Sequence, residues 1–438
     1  MPNHYKAIHI IYPALVLALT LLFSGCNSHP DKNKNLLKVT RQMGEFEEID
    51  ALWLIWPTTD HKSGESVEEV TLAIIEALVS DLKIVISCAD DKVLEKAKSI
   101  LNEKYPASEN LIFKVIPSME IWARDMGPSF VELKNGNHAI ADFNFNSWGY
   151  ADTLDFAAKT EEKFDERVAE ILNLPLISSA MISEGGNREL NGKGTLLVSE
   201  TVEQGRNPTM TKAAMEAEYQ RLLGVKKVIW LQHGLLEDSH TFLGPLTTAD
   251  NSKAYTVVTT NGHVDEFARF VNDSTVLLAS VDSTDMQDPI AGENHRRMEE
   301  NFKILSMSTD QDGNPFNIIR MPLPPTILST MQPGDYVYDY IQTLDYQDGS
   351  QFPNGEVITV AAAASYLNFI ITTEVIVGQK YWRKGMPDEI QRKDEETKMI
   401  LESVFPNRKV VMIDALAVNL GGGGLHCISM HQPVLNGN

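Results

Sequence analysis

The chain has 438 residues, 43% of them hydrophobic, with 38 basic against 60 acidic side chains and a formal charge of −22. That composition supplies a sizeable core and excludes the disordered and fibrous classes. The charge argues against nucleic acid as a partner, because phosphate binding rests on clustered Lys and Arg, and it suits a cationic ligand.

Near the N-terminus Lys6 precedes "IHIIYPALVLALTLLFSGC". This apolar run is short and ends abruptly, so it reads as a signal peptide over residues 1–25, with an uncleaved anchor as the alternative. "FSGC", Phe23 to Cys26, resembles the lipobox of bacterial lipoproteins, whose cysteine is lipidated. The polar "NSHPDKNKN" that follows reads as a tether, making residues 26–35 lipidated cysteine plus spacer. The expected location is that of an exported lipoprotein, periplasmic or at the outer membrane, held to it by lipid alone.

From residue 36 to 438 no break in composition marks a linker, so one large domain is expected. Amphipathic helices lead repeatedly into short apolar strands and polar, glycine-marked turns. "SVEEVTLAIIEALVSD" opens with Ser66 and Glu69 at capping-box spacing and feeds "LKIVISC". "DKVLEKAKSILNEKY" leads to "NLIFKVIP", and "FDERVAEILNL" to "PLISSAMISEGGN". "TKAAMEAEYQRLLG" stops at Gly224 before "VKKVIWLQHG". "ENHRRMEENFKIL" leads to "FNIIRMPLP", and "DEIQRKDEETKMILESVF" to "RKVVMIDALAVNLGGGGLHC". This alternation predicts an α/β protein of repeated units. Neither GxGxxG nor GxxxxGK occurs, so no glycine fingerprint for a dinucleotide or a phosphate is present.

Of three cysteines, Cys26 belongs to the lipobox, and Cys88 ends an apolar run and reads as a buried, inert thiol. Cys427 follows four glycines and needs its own explanation. Four polar clusters stand just after strands: "WARDMGP", "EGGNRELNGKGT", "NGHVDEFARF" and "GGGGLHC". If "GHVDEFARF" is extended, His263 and Asp265 share a face and Val264 turns to the core. The same alternation separates His426 from Cys427, which makes His263 the better partner for the thiol. A thiol beside carboxylates is electrostatically awkward unless a cation arrives between them. A guanidinium fits, being planar, rich in N–H donors and able to stack on a ring such as Trp122.

"IWARDMGPSFV", "EGGNRELNGKGTLL", "GHVDEFARF", "AASYLNF" and "GGGGLHC" resemble, in order, the agmatine deiminase and bacterial (Porphyromonas-type) peptidylarginine deiminase family. The resemblance runs from about Trp53 to Pro433. It implies a pentein fold, a five-fold pseudosymmetric α/β propeller of ββαβ-type units, without metal or other cofactor. By motif it makes Cys427 the nucleophile, His263 the general acid/base, Asp125 and Asp265 the holders of the guanidinium, and Glu184 the residue that orients the histidine. Trp122, Asn187 and Gly424 are expected at the substrate. The implied reaction turns a guanidinium into a ureido product and ammonia. The expected partner is agmatine, giving N-carbamoylputrescine, or else arginine in a peptide or free. A lipoprotein that captures guanidines without hydrolysing them, and a Cys/His/Asp zinc hydrolase, are the competing readings. Two segments, 234–260 and the stretch around "GQKYWRKGMPDEIQRKDEE", are expected to border the pocket. Oligomeric state stays open.

Overall fold

A computed structural model describes residues 37–435. The expected leader, Cys26 and the whole tether lie outside them.

Five sheets repeat one design: an antiparallel step, then a helix, then a parallel step. In the first, Ile49–Ile55 runs parallel to Lys83–Cys88 across the helix Val67–Leu78. Its other edge pairs antiparallel with Ser429–Pro433, so the second and the last strands of the described chain meet in one sheet. Leu111–Val115 extends that sheet after the helix Asp91–Lys104. In the second, the hairpin Ser129–Leu133 with His138–Asn144 is followed by the helices Phe156–Glu162 and Phe164–Leu172 and the parallel strand Leu176–Ile182. The third joins Glu189–Leu190 and Thr195–Ser199 to Lys227–Leu231 through the helix Lys212–Leu223. The fourth joins Ala268–Phe270 and Thr275–Ser280 to Asn317–Pro322 through Pro289–Met307. The fifth joins Ile370–Ile371 and Val375–Lys380 to Lys409–Asp414 through Asp388–Val404. Every helix-to-strand passage expected from the sequence is present.

Local signals explain the boundaries. The Ser66 hydroxyl accepts the Glu69 N–H at 3.3 Å, and Asp288 caps a helix that begins at Pro289. Gly224 ends its helix at φ +66°, a left-handed turn that favours glycine. The strands are apolar because both their faces are covered. Leu52, Leu54, Ile84 and Ile86 pack in one cluster, while Ala51, Trp53, Ile55 and Val85 pack in another, the period-two division of a buried sheet. Cys88 is fully buried, and burial lifts its pKa to about 11, as suits an inert thiol.

A sixth sheet lies outside this repeat. The 234–260 segment supplies two of its strands, Leu246–Thr247 and Lys253–Thr256, which join Ile358–Ala361 and Leu328–Met331. Between the last two strands sits the short helix Tyr336–Ile341. Among the described residues no helix is long and apolar enough to cross a membrane.

Candidate active site

The antiparallel step of every repeated unit is preceded by a short irregular segment, and those five segments converge. Trp122 and Asp125 come just before Ser129, and Glu184 just before Glu189. His263 and Asp265 come just before Ala268, Asn368 just before Ile370, and Cys427 just before Ser429. One buried slot therefore receives at least one polar side chain from each unit.

Asp125 sits on the short helix Ala123–Met126, which is tied to the C-terminal segment by Arg124 N–H donating to the Cys427 carbonyl at 3.0 Å. Its Oδ1 accepts from Gly186 N–H at 2.8 Å and its Oδ2 from Trp148 Nε1 at 2.7 Å. Glu184 is held by Arg206 Nε at 2.5 Å. Burial opposes its charge, but Arg206 and His263 outweigh burial and bring its pKa to about 2.

The segment "GHVDEFARF" is not extended throughout. Val264–Glu266 forms a 3-10 turn, and the strand starts only at Ala268. The cause is Asp238, whose carboxylate accepts the N–H groups of Thr260, Gly262 and His263 at 2.8 to 3.0 Å and curls the chain. His263 and Asp265 still reach one site, and Val264 faces the core as expected. His263 Nδ1 lies 3.7 Å from Asp125 Oδ1, and its Nε2 3.6 Å from Glu184 Oε2. Burial alone would lower the His263 pKa. Asp125, Glu184 and Asp265 together raise it to about 9, so the ring is an imidazolium at neutral pH.

The strand geometry expected for His426 and Cys427 is also absent, because both lie in a turn before Ser429. Both side chains consequently reach the same carboxylate oxygen, Asp265 Oδ2. Cys427 Sγ is 3.5 Å from it and His426 Nδ1 2.7 Å. Asn368 Nδ2 donates to Sγ at 3.1 Å. Burial, then Asp265, Glu266 and Asp125, push the thiol pKa well up. The glycines before it answer steric demands. Gly422 has φ +127°, and a Cβ at Gly423 would stand 2.8 Å from Sγ and 3.0 Å from the Trp122 ring.

Not every expected residue meets the slot. Asn187 spends its amide on Glu203 Oε1 at 2.9 Å, on Ser199, and on Val264 N–H, so it braces the His263 turn instead of facing a ligand. A side chain at Gly424 would strike the Asn368 and Gln379 amides, and the Gly424 backbone hydrogen-bonds the thiol. Trp122 does line the slot, packed edge-on against Trp148. Asn368, Trp148, Arg206 and Asp238 went unassigned in the sequence. Only Asn368 carried a signal, its place before the fifth hairpin inside "AASYLNF".

Four buried polar atoms of this site have no hydrogen-bond partner among the described residues: both His263 nitrogens, Glu184 Oε2 and Asp265 Oδ1. Such atoms cost free energy unless a ligand meets them. Asp265, Glu266 and Cys427 offer ligand atoms within 4.8 Å of one another, a grouping that could also hold a metal. Beyond the slot, and sharing its walls Trp122, Trp148 and Val258, opens a recess of about 350 Å³. Glu120, Asp155, Glu161, Tyr150, Tyr336 and Tyr340 line it, and no Lys or Arg does among the described residues. The 234–260 segment reaches it through Val258. The segment around "GQKYWRKGMPDEIQRKDEE" does not, since Arg383 there is engaged with Glu65 and Asp414.

Similarity to known proteins spans most of the described chain. The agmatine deiminase of Pseudomonas aeruginosa (strain LESB58) is 29% identical over 399 residues, covering 90% of this chain and 95% of that protein. The agmatine deiminase of Medicago truncatula is 29% identical over 411 residues, covering 89% and 96%. The solved structure of the Enterococcus faecalis agmatine deiminase superposes with a TM-score of 0.69 at 23% identity, covering 92% of this chain and 97% of that one, and shows the shared mixed α/β fold. The Porphyromonas-type peptidyl-arginine deiminase family matches residues 41–243 and 251–433, which takes in every segment that reaches the slot. With that match spanning most of its length, the chain belongs to the Porphyromonas-type peptidyl-arginine deiminase family.

Proposed function

We propose that the protein is a hydrolase that deiminates agmatine to N-carbamoylputrescine and ammonia. The observation that carries this reading is the meeting of Cys427, His263, Asp125, Asp265 and Glu184 around one buried slot with unpartnered acceptors. A planar cation supplies the donors that Asp265 Oδ1 lacks, and of the two perpendicular rings Trp122 and Trp148 one can meet its face and the other its edge. The five units then form the blades of a five-fold pseudosymmetric propeller with the slot on its axis. The support for this is the contribution of one segment from each unit and the closure of Ser429–Pro433 onto the first sheet.

In the proposed reaction the incoming cation offsets the carboxylates that suppress Cys427 ionisation, the thiol gives its proton to solvent, where it ends on the released ammonia as ammonium, and the thiolate attacks the guanidinium carbon. His263, already protonated, gives its proton to the departing nitrogen, and ammonia leaves a Cys427 thiouronium. The neutral imidazole then takes a proton from water as the oxygen adds to the same carbon. The C–S bond breaks as the added hydroxyl gives its proton to the departing sulfur, the ureido product leaves, and the thiol is restored. Asp125 and Asp265 hold the carbon in line, and Glu184 keeps the ring facing it.

Agmatine is favoured over arginine by the recess, which is acidic and aromatic and holds no guanidinium or ammonium to meet a carboxylate. Two buried arginines near the slot, Arg206 and Arg188, are engaged elsewhere. Arg206 pairs with Glu184, and Arg188 is bound to the Ser183 carbonyl and to Ser129 Oγ at 2.8 Å. An exported lipoprotein with such a pocket would act on scavenged amines. The test offers agmatine, free arginine and an arginine-ending peptide to the protein and measures ammonia and ureido product. Turnover of agmatine at least about tenfold above both others is expected, and a preference for arginine in either form would reverse the assignment.

A further inference from the structure

One chain of contacts behind the slot has no part in the reaction above. Glu45, from the connection between Val39–Gln42 and Ile49–Ile55, faces His426 Nε2 at 2.8 Å. His426 Nδ1 faces Asp265 Oδ2 at 2.7 Å, and the opposite oxygen of Asp265 is the unpartnered one. We propose that Glu45 and His426 are positioning residues for the substrate cation. An imidazolium clamped between Glu45 and Asp265 fixes one Asp265 oxygen and keeps the carboxylate ionised, leaving the other oxygen for the guanidinium. The proposal rests on the deiminase reading for its purpose, although the clamp itself is a property of the free protein.

Both ring nitrogens of His426 face carboxylate oxygens, which only accept, so both nitrogens donate and the ring carries two protons. Glu45 is held as an anion, because it also accepts from Arg124 Nη1 at 2.5 Å and from Arg269 Nη2 at 2.7 Å. Arg269 is fixed in turn by Glu189 at 3.0 Å and by the Leu367 and Phe369 carbonyls. Glu45, His426 and His431 are residue types that bind metals, yet here two guanidiniums already meet the carboxylate. His431 cannot replace His426. Its Nε2 donates to the Ile371 carbonyl at 2.6 Å, which leaves Nδ1 to accept from Arg124 at 2.7 Å.

The second proton on His426 depends on its two acids. Burial, then Arg124 and Arg269, pull its pKa below the usual imidazole value, Glu45 and Asp265 act against them, and it is the two carboxylate contacts at 2.7 and 2.8 Å that hold the second proton against that pull. Burial likewise opposes the Asp265 charge, and His426 is the foremost influence that restores it. His263 and Arg269 help, whereas Glu266, Asp125 and the Cys427 thiol face the same carboxylate without supplying positive charge.

The test measures kcat and KM against pH with agmatine for the wild type, Glu45→Gln, Glu45→Asp and His426→Gln. Beside it, ring-nitrogen NMR of the substrate-free wild type is assigned by difference from His426→Gln. A doubly protonated His426 at neutral pH is expected. Glu45→Gln should raise KM about tenfold and move the acid limb of kcat/KM up by about one pH unit, with Glu45→Asp recovering most of both. A neutral His426 tautomer at neutral pH overturns the proposal, and so does an unmoved acid limb in folded Glu45→Gln. A purely structural role would lower stability without moving that limb. If the wild type releases ammonia from no guanidine, the deiminase reading fails, and the NMR spectra still decide whether the clamp exists.

Discussion

Asn368 Nδ2 donates to Cys427 Sγ at 3.1 Å, while its Oδ1 accepts the backbone N–H groups of His426 and Cys427 at 2.9 and 3.3 Å. One amide thus fixes the turn that carries the thiol and supplies a donor that favours the thiolate. Asn368→Ala is expected to lower kcat/KM about tenfold to a hundredfold. Asn368→Asp, which places another carboxylate on the sulfur, should cost more. Equal activity of Asn368→Ala and wild type in steady-state kinetics would remove the amide from this role.

Cys427 is expected to be a neutral thiol in the free protein, since burial and then Asp265, Glu266 and Asp125 push its pKa well up. A neutral haloacetamide should alkylate it slowly at neutral pH and faster only in alkali. A haloacetamidine carries its own planar cation and should react at least about tenfold faster near neutrality. An apparent thiol pKa well below neutrality without ligand contradicts this account.

His263 has a pKa raised from 6.5 to about 9, so the proton it donates is present below that range and is lost above it. Activity is expected to fall as pH rises through about 9. The stability this charge contributes is fully present below 6.5 and disappears as pH rises through about 9. Glu184→Gln removes one of the anions that sustain the proton and should move both transitions to lower pH. Rate profiles and thermal melts against pH read the two effects separately.

Glu161 lines the recess, accepts the Met119 and Glu120 N–H groups with one oxygen, and leaves the other unpartnered among the described residues. Burial lifts its pKa to about 7, against the pull of the Met119 hydrogen bond. It is therefore largely protonated below that pH and anionic above. If it receives the far amine of agmatine, KM should fall as pH rises through about 7. Glu161→Gln should raise KM about fivefold to a hundredfold with kcat little changed. A pH-independent KM in the wild type would place the amine elsewhere in the recess.

Cys26→Ala is expected to shift the protein from the membrane fraction to the soluble one with unchanged turnover, because the lipid would be its only attachment. Fractionation of cells expressing each form reads the outcome, and an unshifted variant would point to an uncleaved anchor.

The repeat of helix and strand was legible because buried parallel strands must be apolar and surface helices amphipathic, patterns that a linear chain displays directly. The Ser66 cap and the Gly224 stop were legible for the same reason, being contacts within a few residues. The turn at His263 was not, because the agent that bends it, Asp238, lies 25 residues away and reads like any loop acid. Asn187 looked like a ligand and proved to be a brace, since its partners Glu203 and Val264 come from separate elements.

By itself the sequence determined which chemical groups this protein owns and the order in which they occur: a thiol behind glycines, a histidine two residues before an acid, and apolar strands at regular intervals. Only the tertiary structure decided which of those groups touch. Protonation and reactivity depend on charge separations of a few ångströms across long chain separations, 381 residues between Glu45 and His426. No pattern along the chain encodes such distances.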